Sequence, residues 1–161
     1  MNKEEIYKFL DNKNIKYEIT NHKAVYNMDE LNDVELPYKE DAKNLFLKDD
    51  KKNYYLVTVK GEVKVDLKEF RRRNNTRPLH FAKPEDLMEL LNLIPGAVTP
   101  LGLLNDKDLK VKFYIDKSFF SKQHRIGVHP NDNTATIWLK VDDLVEIIEE
   151  HGNEVNVFTV K

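Results

Sequence analysis

The sequence predicts an α/β fold with a mixed, strongly curved sheet flanked by helices. Three observations predict it. Segments with strand and helix periodicity alternate along the chain instead of falling into separate blocks. Several strands are joined by turns too short for a crossover, so part of the sheet must be antiparallel. Finally, 161 residues with 40% hydrophobic and 34% charged side chains suit one soluble globular domain spanning residues 1–161.

The elements follow in order. Ile6, Phe9 and Leu10 recur at helical spacing and predict a helix over residues 3–11. Residues 16–20 read as a strand, and residues 29–34 as a short helix capped by Asp29. Two apolar, aromatic-rich runs at 44–48 and 54–59 flank turn formers at 49–53, the clearest hairpin in the chain. Asp66 caps a basic helix running to Asn74, and residues 79–82 read as a short strand. Pro84 opens a helix with Leu87, Leu90, Leu91 and Ile94 as its apolar face, stopped by Pro95-Gly96. Strands are expected at 109–115, 125–128 and 134–139. Asp142 or Asp143 caps a last helix that buries Leu144, Val145, Ile147 and Ile148 and stops at Gly152, and residues 156–160 close the chain as a strand.

Composition excludes several classes of function. There are no cysteines, which removes disulfides, thiolate nucleophiles and thiolate metal sites. The five histidines at 22, 80, 124, 129 and 151 include no close pair with zinc-ligand spacing, so no metal or other cofactor is expected. Neither a glycine-rich phosphate loop nor a GxSxG elbow occurs. The charged start of the chain and the absence of a long apolar run point to a soluble cytoplasmic protein away from membranes. The net charge of −2 hides an asymmetry. Seven bases between Lys64 and Lys83 face two acids, whereas residues 142–154 carry six acids and no lysine or arginine. Lys68, Arg71, Arg72, Arg73 and Arg77 are therefore the candidate contacts to nucleic-acid phosphates, although a solvated helix face has the same appearance.

Three segments carry unusual chemistry. Lys43 and Asn44 stand at the mouth of the first hairpin strand; if Phe46 faces the core, Asn44 shares that face and Lys43 takes the other. The segment from Pro95 to Gly102 contains two prolines and two glycines, a stiff loop whose exposed N–H groups could line an oxyanion site. Gly127 to Thr136 is a polar turn between strands in which His129, Asn131, Asn133 and Thr134 could touch a ligand. Singly, these read equally well as a surface lysine, a helix cap with a turn, and a connecting loop.

Together, Lys43-Asn44-Leu45-Phe46-Leu47-Lys48-Asp49, Gly96-Ala97-Val98-Thr99-Pro100-Leu101-Gly102, and His129-Pro130 with Asn133-Thr134-Ala135-Thr136 resemble the editing-domain family of prolyl-tRNA synthetases. The branch resembled is the free-standing alanyl-tRNA(Pro) deacylases of the YbaK/ProX group. The likeness covers nearly the whole chain. It implies a pseudo-barrel sheet and a trans-acting hydrolase that removes small amino acids from tRNA(Pro). Alanine is the first expectation, with cysteine and serine as alternatives. The implied partner is aminoacylated tRNA(Pro), with association with prolyl-tRNA synthetase left open. Lys43 matches the characteristic lysine, Asn44 the asparagine after it, Gly96 to Pro100 the GxxxP loop, and His129 the late histidine. The catalytic set implied is Lys43, Asn44, Gly96 and His129. Substrate contacts are implied for Ala97, Val98, Thr99, Pro100, Asn133 and Thr134. Asn131 and Asp132 depart from the pattern, which has a leucine and a small aliphatic residue there, and the fine amino-acid preference depends on this wall. A non-catalytic tRNA-binding module is the reading from another class.

Overall fold

The computed structural model describes residues 1–22, 42–121 and 124–160. The helix expected at 29–34 lies outside the described residues.

The first helix, α1 (Lys3–Asn12), is opened by a capping box between Asn2 and Glu5 and buries Ile6 and Leu10. Strand β1 (Tyr17–Asn21) follows. The hairpin is β2 (Ala42–Lys48) with β3 (Tyr54–Lys60), paired antiparallel without interruption from Ala42↔Lys60 to Lys48↔Tyr54. Its turn is closed by the buried Asp49 carboxylate, which accepts from the backbone N–H groups of Lys51 and Asn53 (2.9 Å each) and from Asn53 Nδ2.

Asp66 caps the basic helix α2 (Leu67–Asn74) through the N–H groups of Lys68 and Glu69. The two-residue strand β4 (His80–Phe81) pairs with the end of β2. Helix α3 (Pro84–Leu91) ends sooner than its apolar spacing suggests. Asn92 takes the left-handed conformation (φ 53°) and terminates it, so Ile94 lies beyond the helix and is exposed. A 3₁₀ turn over Pro100–Asn105 leads to β5 (Val111–Asp116). Leu109, expected inside that strand, has φ 54° and precedes it.

A second 3₁₀ turn, Lys117–Phe120, connects to β6 (Arg125–Val128), β7 (Ala135–Lys140), α4 (Val141–His151) and β8 (Val155–Phe158). Helix α4 starts at Val141, so Asp142 and Asp143 sit in its first turn near the positive end of the helix dipole, with Lys140 as the N-cap.

The strands form two sheets. One is antiparallel, in the order β1-β7-β6; the other is mixed, in the order β4-β2-β3-β5-β8, with β3-β5 and β5-β8 parallel. The expected mixed α/β architecture is present, but the curvature is resolved as two sheets over one core instead of a closed barrel.

Period-two alternation decides which side chains meet. Phe46, Leu56, Phe113 and Ile115 of the five-stranded sheet join Ile126, Val128, Ile137 and Leu139 of the three-stranded sheet in the main core, completed by α1, α3 and α4. The opposite face of the larger sheet presents Leu47, Tyr55, Val57 and Tyr114 to Phe70 of α2 and to Phe158, a second and smaller core. Among the described residues, no helix is long and apolar enough to cross a membrane.

Candidate active site

At one end of the core between the sheets, the apolar inner face gives way to polar groups. Asn44 and Thr58 are cross-strand partners on the main-core side of β2 and β3. Thr58, with no solvent exposure, donates its hydroxyl to Asn44 Oδ1 at 2.6 Å. Asn44 Nδ2 donates to the Val98 carbonyl at 3.2 Å. The Val98 carbonyl fixes which way the amide points, because only the nitrogen can donate to it, and the oxygen is then left to face the Thr58 hydroxyl. Together the two bonds fasten the 95–102 loop to the sheet.

The loop is fastened a second time by Thr99. This fully buried side chain donates to the His129 carbonyl at 2.6 Å and caps the following 3₁₀ turn through the Leu101 N–H. Gly96 has φ 90°, a conformation that a Cβ would strain, so the glycine is needed where the loop reverses. Inside the loop, the Ala97 N–H already donates to the Ile94 carbonyl at 3.1 Å. The N–H groups of Gly96, Val98 and Thr99 have no acceptor among the described residues. The donors left unspent in the loop are therefore Gly96, Val98 and Thr99, of which Thr99 has no solvent exposure, and Ala97 contributes a buried wall.

His129 Nδ1 lies 2.8 Å from the Ala135 carbonyl. A carbonyl only accepts, so Nδ1 carries the hydrogen and Nε2 is left as the basic nitrogen. Burial pushes the imidazole below the ordinary histidine value, and the neighbouring His22 adds to this. The Ala135 bond and Asp132 act in the opposite sense without reversing it. His129 is thus a neutral acceptor at neutral pH.

The structure joins Asn44, Val98, Thr99 and His129 through direct hydrogen bonds, with Gly96, Ala97 and Pro100 on the same loop. It treats the other candidates differently. Lys43 is half-buried and, in the unbroken β2–β3 register, shares the face of Leu45 and Leu47, opposite Asn44. Among the described residues it makes no ion pair or hydrogen bond. At this end of the hairpin the lysine that the register puts on the Asn44 side is Lys60, whose ammonium sits 6.0 Å from the Phe119 ring.

Thr134 is engaged internally: its hydroxyl donates to Asp132 and accepts from Lys3 Nζ at 3.1 Å. Asn133 is buried within the same turn. Asn131, in the left-handed region at φ 60°, donates Nδ2 to the Met1 carbonyl at 2.8 Å.

The basic helix lies on the other side of the five-stranded sheet, where Phe70 packs into the smaller core. Lys68 and Arg71 are exposed. Arg72 is bound to both oxygens of Glu69 (2.8 and 3.2 Å), Arg73 is 3.5 Å from the same carboxylate, and Arg77 pairs with Asp50 at 2.9 Å.

Sequence reasoning missed Thr58 and Lys60. Thr58 had a readable signal, a hydroxyl inside an otherwise apolar strand directly across the hairpin from Asn44. The Ala135 carbonyl, a backbone group, had none.

Residues 22–147 match the family model for the aminoacyl-tRNA editing domain. The chain belongs to this family. Among relatives in the editing family, the chain is 36% identical to the prolyl-tRNA editing protein ProX of Acetoanaerobium sticklandii over 146 residues, covering 89% of this chain and 88% of that one. It is 32% identical to the prolyl-tRNA synthetase associated domain-containing protein 1 of Danio rerio over 154 residues, covering 92% and 82%. A solved protein assigned provisionally as a trans-editing enzyme for prolyl tRNA synthetase superposes with a TM-score of 0.71 over 99% of this chain and 96% of its own. At 19% identity, that match speaks for the fold. The site fastened by Asn44, Thr99 and His129 lies inside the segment matching the editing domain.

Proposed function

We propose that the chain is a trans-editing deacylase that hydrolyses the ester of mischarged alanyl-tRNA(Pro). One observation carries the reading: Asn44 on the sheet, the 96–100 loop and the His129 turn are hydrogen-bonded into one cluster that leaves three backbone N–H donors and one basic imidazole nitrogen without a partner among the described residues. The kinship with ProX supports prolyl tRNA as the carrier.

The chemistry follows from the donor set. An aminoacyl ester is already activated, so attack by water needs positioning and charge stabilisation more than a strong nucleophile. The Gly96 and Val98 amides bind the carbonyl oxygen and take up the negative charge that develops on it. His129 Nε2 accepts a hydrogen bond from the attacking water or from the terminal ribose hydroxyl, which relays the proton. The second hydrogen of Asn44 Nδ2 orients the substrate. A lysine is cationic at neutral pH unless strongly desolvated and makes a poor base, so Lys43 supplies electrostatic attraction for the tRNA end at the strand mouth. The exposed Lys68 and Arg71, with Arg72, Arg73 and Arg77 beside them, attract more distant tRNA phosphates.

Selectivity rests on size. A synthetase pocket built for proline rejects the smaller alanine by only about 1–3 kcal/mol per missing methylene, whereas a second pocket too small for proline corrects the error by exclusion.

The test is side-by-side hydrolysis of alanyl-, cysteinyl- and seryl-tRNA(Pro). Alanine should be released fastest. Faster release of cysteine or serine reassigns the substrate within the family, and tight tRNA binding without any turnover makes the chain a non-catalytic tRNA-binding module.

A further inference from the structure

The mechanism above leaves one polar side chain beside the site without a role. His22 follows β1, and its N–H extends the β1–β7 ladder by donating to the Thr134 carbonyl at 2.9 Å. Its ring is held by Nε2 against the hydroxyl of Thr136, a buried residue, at 3.0 Å. Its centroid lies 6.0 Å from that of His129, with the planes at 63°, an edge-on contact. The two imidazoles thus grip the start of β7 at successive residues, His129 through the carbonyl of Ala135 and His22 through the hydroxyl of Thr136.

From this geometry we infer that His22 is a positioning residue for the deacylation: its ring edge restrains the His129 imidazole in the Nδ1–H tautomer that leaves Nε2 basic. The inference rests on the deacylase reading given above. Two physical consequences follow. First, a ring wedged against its neighbour loses the freedom to flip, so Nδ1 keeps the Ala135 carbonyl and Nε2 stays the catalytic atom. Second, two imidazoles at this separation resist being protonated together. His22 therefore works with burial to keep His129 neutral, against the opposing charge of Asp132. Lys3 in turn tempers Asp132, and it reaches the same turn through Thr134.

The experiment compares wild type, His22→Phe and His22→Gln by two readouts. The first is the titration of the His129 ring followed by NMR. The second is the pH profile of kcat and KM for alanyl-tRNA(Pro). Phenylalanine keeps a ring but removes the ring nitrogens and with them the Thr136 bond. Glutamine restores a hydrogen-bonding group and guards against a variant that fails for reasons of packing. In His22→Phe the His129 titration should move to higher pH, because a neighbour that disfavoured its protonation is gone. The acid limb of kcat should move the same way, and kcat at neutral pH should fall roughly tenfold with KM little changed, part of the ~100-fold or more that a general base contributes. His22→Gln should recover part of kcat.

An unchanged His129 titration in both variants overturns the inference, as does a loss confined to KM. Should the titration move as expected while wild type releases no amino acid from any tRNA, the imidazole pair stands and the deacylase reading falls.

Discussion

Asn44→Ala separates the structural from the chemical work of the cluster. The substitution takes the acceptor from the Thr58 hydroxyl, which has no exposure, and the donor from the Val98 carbonyl. A buried polar group left unpaired costs about 1–3 kcal/mol. Asn44 is itself only half-buried, so water can replace one of the two bonds. The expected loss is therefore ~2 kcal/mol, a shift of about 4–8 °C in Tm for a chain of this size. Thr58→Val removes the partner, and the double variant leaves no orphaned hydroxyl. The two changes should thus be non-additive by ~1 kcal/mol in urea unfolding, the double variant being more stable than the sum predicts. Activity should fall further than stability. Freed from the sheet at Val98, the loop shifts its amides, and a displacement of about 1 Å costs on the order of 100-fold in rate. Additivity within ~0.3 kcal/mol together with wild-type turnover in Asn44→Ala would mean that this link neither holds the loop nor positions its donors.

Four further outcomes are expected. Lys43→Ala and Lys60→Ala compare the two lysines at the hairpin mouth: if Lys43 guides the tRNA end, its loss raises KM several-fold and flattens the salt dependence, whereas the reverse ranking transfers that role to Lys60 on the Asn44 face. Charge reversal at Arg71 and Arg72 should weaken tRNA binding and lower its salt slope by about one for each phosphate no longer neutralised; an unchanged slope in a filter-binding series leaves the helix as a solvated surface. In Gly127→Ala the new Cβ would stand 2.4 Å from Cζ3 of the buried Trp138, so urea unfolding should show a loss of about 1–3 kcal/mol. Burial raises the Asp49 carboxyl, but hydrogen bonds from Asn53, Lys51 and Tyr55 outweigh it and hold the group below its ordinary value. Its contribution is present above the unfolded value and is lost as pH falls through the folded one, so stability should drop below about pH 4 in wild type and less steeply in Asp49→Asn.

What the sequence makes legible, and what it does not, follows from the range of the forces involved. The hairpin, the Asp66 cap and the Gly152 stop are readable because each is decided within a few residues by turn chemistry and alternation. Apolar spacing alone makes helix α3 too long, because it continues through Ile94, whereas Asn92, an equally local signal, ends the helix in the left-handed conformation. The division of the curved sheet into two is illegible for a different reason. Strand order and the split into two sheets depend on pairings such as β1 with β7 and β3 with β5, far apart in sequence, which no local pattern encodes.

The same division runs through the site. Residue types at 43, 44, 96–100 and 129 mark where the proposed chemistry sits, but not how it is shared out. Backbone pairing decides that Ala97 spends its N–H on Ile94 while Gly96, Val98 and Thr99 keep theirs; strand parity, readable from Phe46, puts Asn44 and not Lys43 on the main-core face, but that the loop meets Asn44 there is a long-range contact. A substitution that preserves residue chemistry but shifts β2 by one position would exchange the faces of Lys43 and Asn44 and should abolish activity with every candidate side chain still present. The proposed activity therefore depends on the register of the hairpin against the glycine–proline loop, with the side chains as its readout.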